Sequence, residues 1–172
     1  MSQVISFGIA SGADGTVGSV NMAFRAWVGI TQSDVTGDNL SAIPNFDTID
    51  FDTTGGFDDT TGVFTAPVNG IYYFSVSLFL SGFETDTFTN INLILRNTAP
   101  GTGDSGLRSF IVGPSDILSG VSSISQSVNG IMEMQQGDQT ETLAAVAGGT
   151  RTIRITTSRN MSFISGFLVQ AL

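Results

Sequence analysis

The longest sustained alternation in the chain runs from Ile71 to Leu80, where Tyr72, Phe74, Val76, Leu78 and Leu80 occupy one set of positions and Tyr73, Ser75 and Ser77 the other. A period of two puts these sets on opposite faces of a β-strand. The first face is apolar and predicts core. The second is polar until Phe79 joins it, which predicts a surface meeting water or another subunit. Val63 and Phe64 end a shorter apolar run upstream, and Pro67 with Asn69-Gly70 stands between the two. Residues 61–80 therefore read as a hairpin.

The same pattern recurs along the chain. Ala23, Arg25 and Trp27 alternate with Phe24, Ala26 and Val28, predicting a strand over 22–30, while 31–44 collects Asp34, Gly37, Asp38 and Asn39 and reads as a loop. Phe46 and Ile49 are the apolar anchors of a short strand around Asp47. Strands follow at 91–96 and 107–112, with a loop at 97–106 and a turn at 113–120. Residues 122–134, carrying Ile124, Val128 and Met132, pair as a hairpin with 140–146 across the Gln135–Asp138 turn. Ile153 and Ile155 mark a strand within 151–157, and 161–172 is the last. No stretch holds a helical apolar period. Short strands at roughly ten-residue spacing with Gly-rich turns predict an all-β sandwich or jelly roll.

Composition narrows the chemistry. The 172 residues fit one domain with its own core, and a net charge of −9 comes from fifteen Asp and Glu against six Arg, with no His, Lys or Cys. Phosphate backbones and anionic lipid need cationic surfaces, so neither nucleic acid nor a membrane is an expected partner. Without His, Cys or Lys, the commonest general base, the thiolate and the Schiff-base amine are all missing, and a Ser-His-Asp triad is impossible. Residues 1–22 are rich in Gly and Ser, lack a signal-peptide pattern and read as an extended arm, leaving 23–172 as the domain.

The acidic cluster of Asp47, Asp50, Asp52, Asp58 and Asp59 is the one candidate metal site, with Asp50, Asp52, Asp58 and Asp59 as possible calcium ligands. An EF-hand would need Glu where Thr61 stands, and the paired-aspartate phosphatase motif would need a downstream Lys. A solvated strand end is the competing reading. Arg151, Arg154 and Arg159, close together in an acidic chain, are expected to pair with carboxylates.

Six pieces in order resemble one family. A-F-R-A at 23–26, N-F-D-T-I at 45–49 and F-D-D-T-T-G-V-F-T-A-P-V-N-G-I-Y-Y-F at 57–74 are followed by L-I-L-R-N at 93–97, Q-Q-G-D-Q at 135–139 and S-F-I-S-G-F-L-V at 162–169. This is similar to the C1q domain of the tumour-necrosis-factor-like superfamily. The resemblance implies a ten-strand jelly roll, a compact homotrimer and, in some members, calcium near the threefold axis. It implies that Phe64, Tyr72, Phe74 and Phe167 are core, and that Gly70 and Gly166 serve tight turns or close strand approach.

The absence of a collagen stalk, cysteines and a leader favours a bacterial or phage member. The resulting expectation is a non-enzymatic trimeric module of a virus particle, a bacteriophage capsid-decoration or fibre protein, held by residues 1–22. The alternative is a free recognition module, extracellular or at a cell surface, that binds a carbohydrate or protein through loops 31–44, 81–90 and 97–106.

Overall fold

In a computed structural model of the chain, residues 21–83, 88–98, 106–112 and 122–172 are described. They form twelve strands: β1 (Ala23–Trp27), β2 (Gln32–Thr36), β3 (Thr48–Asp52), β4 (Phe57–Asp58), β5 (Val63–Thr65), β6 (Gly70–Ser81), β7 (Asn90–Asn97), β8 (Gly106–Val112), β9 (Ser123–Met134), β10 (Gln139–Ala147), β11 (Ile153–Ile155) and β12 (Phe163–Ala171). They make a seven-stranded sheet, in which β3-β1-β12-β6-β9 lie side by side and β11 and β2 continue from β6, and a five-stranded sheet, β4-β5-β10-β7-β8. The short β11 continues β12's side of the first sheet beside Leu80 and Ser81, and β2 pairs outside it. The expected jelly roll is present, with β2 arising inside the segment expected to be a loop.

Alternation builds the core as anticipated. Tyr72, Phe74, Val76, Leu78 and Leu80 from β6 and Phe24, Ala26 and Val28 from the first strand region are all buried. Phe24 stacks between Phe57 and Phe64, with centroids 5.0 Å and 4.9 Å away, and Phe74 meets both Phe24 and Phe64 edge-on. Burial of each such ring contributes about 1.5–3 kcal/mol, and the ring geometry adds specificity. Met22, assigned to the arm, is also buried here, so the packed domain starts by that residue.

Neither expected hairpin forms. β5 pairs with β4 and β10, whereas β6 pairs with β9, β11 and β12, so the chain crosses from one sheet to the other between Thr65 and Gly70. Likewise β9 stays in the first sheet and β10 enters the second. The two crossings lie side by side. Gln136 N–H donates to Asn69 Oδ1 at 2.7 Å, Ala66 N–H to the Asp138 carbonyl at 2.8 Å, and Gly137 N–H to the Ala66 carbonyl at 2.8 Å. Tyr72 Oη donates to the Val68 carbonyl at 2.6 Å and fixes the first crossing against the core. Turn residues end a strand, but what decides its next partner is which sheet needs its apolar face.

Both signature glycines serve close approach within strands. A Cβ at Gly166 would lie 2.7 Å from Phe24 Cε1 and 2.8 Å from Phe74 Cδ1, and one at Gly70 would lie 2.6 Å from Leu168 Cδ1. Of the two anchors expected near Asp47, Phe46 is buried while Ile49 is exposed on the edge strand β3, beside a register shift in the β1–β3 ladder.

Candidate functional site

The outward face of the larger sheet is built by the odd-numbered residues of β6. The ladders align Ala23, Phe167, Tyr73 and Ile131 into one row across β1, β12, β6 and β9. Phe167 is 46% exposed and Ile131 63%, with Tyr73 half-buried between them, and Val169 and Leu172, farther along the chain from Phe167, are exposed as well. The Tyr73 and Phe167 rings meet at 5.2 Å. Phe167 is therefore on the surface, whereas the resemblance implied that it is core. The inward positions of β12 fall to Ile164, Gly166 and Leu168, and its own parity sends Phe167 outward. An exposed apolar band on the face of a sheet marks an interaction surface.

Below that band the face changes character. The next rows read Arg25, Ser165, Ser75 and Asn129, then Trp27, Phe163, Ser77 and Ser127. Ser127 Oγ donates to Ser77 Oγ at 2.9 Å. At the β1–β3 side, Arg25 and Arg159 both bind the largely buried Asp50 carboxylate, and Arg25 also donates to the Arg159 carbonyl and lies over the Phe163 ring at 5.0 Å. Burial raises the pKa of Asp50, but the hydrogen bond and charge of Arg159, followed by those of Arg25, outweigh it and hold the carboxyl below its ordinary value.

The carboxylates proposed for calcium do not come together. Asp47 accepts the Gly29 N–H at 2.6 Å, Asp50 is committed to the two arginines, and Asp52 accepts the N–H groups of Thr54, Gly55 and Phe57. Asp58 accepts from Thr60 N–H and Thr61 Oγ1, which lower its pKa, and Asp59 is exposed beside it. No group of three or more acidic side chains among the described residues could hold a metal. Within one chain these carboxylates are dispersed, and Asp47, Asp50, Asp52 and Asp58 are each engaged by a backbone amide, a hydroxyl or an arginine.

The arginine expectation holds for Arg159 with Asp50 and for Arg151 with Asp38 at 3.1 Å. Arg154 is exposed on β11 and makes no ion pair among the described residues. Of the three candidate binding loops, 84–87 and 99–105 lie outside the described residues, as do residues 1–20 of the expected arm. Sequence reasoning missed Ile131 and Phe51 as surface apolar residues. The signal for Ile131 was available, since it interrupts the polar outward set Ser125, Ser127 and Asn129.

Comparison with known proteins bears on the architecture. Murine APRIL has a similar solved structure, at a TM-score of 0.63 and 13% identity over 87% of this chain and 99% of that one. The globular domain of zebrafish complement 1qA gives 0.55 and 20% identity over 88% and 99%. Identities this low speak for the fold alone, and no curated protein matches the chain. The C1q domain pattern, however, matches residues 23–169, from the first strand into the last, and so spans both sheets. On that match the chain belongs to the C1q domain family.

Proposed function

We propose that this chain is a non-enzymatic structural module that associates as a homotrimer through the outer face of its larger sheet and is anchored to a virus particle by residues 1–22. The row of Phe167, Tyr73 and Ile131 carries the reading. Three copies around an axis make a head-to-tail contact, which requires the two sides of a face to differ. Here one side is the arginine-bound Asp50 and the other the long edge strand β9, with the band between them. The fold family supports association in threes, and the acidic charge suits a particle surface over bare nucleic acid.

Deleting residues 1–20, which leaves Met22 buried in the domain and the Asn21 carbonyl accepting from Thr53 Oγ1, separates the two parts of the proposal. The expected result is an intact trimer that no longer attaches to particles; retained attachment would refute the anchoring role. Phe110, 53% exposed on β8 of the smaller sheet, favours a second reading as a recognition module. A glycan array probed with the trimer tests it, and binding abolished by Phe110→Ala would support it.

A further inference from the structure

We propose that the interior of the smaller sheet holds one structural water molecule shared by the hydroxyl groups of Thr140 and Thr142. Both residues are fully buried, and neither hydroxyl has a hydrogen-bond partner among the described residues. They occupy successive inward positions on β10, a strand flanked by β5 and β7. Inward neighbours on a strand are separated by about 6.6–6.8 Å. Two hydroxyls turned toward each other along that line come within the span of a single water, which reaches about 2.8 Å to either side.

The ladders set Thr140 between Phe64 on β5 and Asn97 on β7, and Thr142 beside Leu95, so Asn97 supplies the polar neighbour. A buried water needs two to four polar partners, and Thr140 faces Asn97, itself buried and polar, across the β10–β7 ladder. The next inward positions, Ala144 and Val146, are apolar, so the strand does not require hydroxyls for packing. Valine has the same shape as threonine, suits a strand equally well and would leave nothing unsatisfied. Two threonines where two valines would fit indicate a ligand for the hydroxyls. The site adjoins the paired crossings, since Asp138, two residues before Thr140, bonds to Ala66 and Asn97.

The test uses the full chain. Long-lived cross-peaks between water and the Thr140 and Thr142 groups in a nuclear Overhauser experiment are expected. Thr140→Val and Thr142→Val should each lower the folding equilibrium constant about fivefold to tenfold, because each strands the remaining hydroxyl. The double variant, which removes both, should recover most of the loss, a strongly non-additive cycle. Missing cross-peaks overturn the site whatever the variants do. Single variants that stabilise, or whose effects simply add, overturn the sharing of one water.

Discussion

The rings of Tyr73 and Phe167 meet at 5.2 Å on the outside of the sandwich, where each belongs to a strand whose other face is fully committed to the core. An aromatic pair facing solvent on a central part of a sheet is stable only modestly in water. Covered by a neighbouring copy, it becomes the centre of an interface.

Phe167→Ser and Ile131→Asp therefore weaken association while sparing the fold. Each ring or branched side chain returned to water removes about 1.5–3 kcal/mol of burial per contact. Sedimentation of the variants should show monomer, with a circular dichroism spectrum unchanged from the parent. Loss of the β spectrum would indicate instead that these residues hold the monomer together.

Gly166→Ala acts on the other side of the same strand. The added methyl would press on Phe24 and Phe74, rings that are already packed against their neighbours. Overpacking of this kind costs about 1–3 kcal/mol, so a lower urea midpoint is expected, with trimer mass retained under native conditions.

Tyr72→Phe removes the donor to the Val68 carbonyl and should cost about 1 kcal/mol, read by thermal unfolding. Burial pushes the Tyr72 phenol above its ordinary pKa, partly offset by the bond to Val68. The folded state thus disfavours the phenolate. Its contribution is fully present below the unfolded value of about 10 and is lost as pH rises through the higher folded value. The parent protein should lose stability in strong alkali more steeply than Tyr72→Phe.

Asp50 has the opposite sign. Its folded pKa is depressed, so its contribution is present above the unfolded value of about 3.9 and disappears as pH falls through the folded one. Asp50→Asn should flatten the acid limb of the stability profile and leave Arg25 and Arg159 without their shared carboxylate. An unchanged acid limb would show that the exposed guanidinium of Arg159 is screened too well to matter.

The faces of the strands were legible because a period of two needs only local information. The β6 set from Tyr72 to Leu80 is buried throughout. Strand partners were not legible, since Asn69-Gly70 and Gln135–Asp138 look like hairpin turns yet lie side by side as crossings between sheets, joined by Gln136 and Asn69. Phe167 was misread because residues 163–169 are apolar at both parities, with Ser165 alone marking the outside and Ser162 buried against that trend. The dispersal of the acidic cluster was not legible for a long-range reason as well: the partners of Asp50 come from Arg25 and Arg159, distant in sequence.

Molar mass by light scattering, with and without a chelator, tests the central claim most directly. The expected mass is three times the 18.0 kDa chain mass in both conditions, because the association face is apolar and the acidic residues are not gathered into a metal-binding group among the described residues. A stable monomer would contradict the association face, and a trimer that dissociates on chelation would contradict the assignment of those carboxylates.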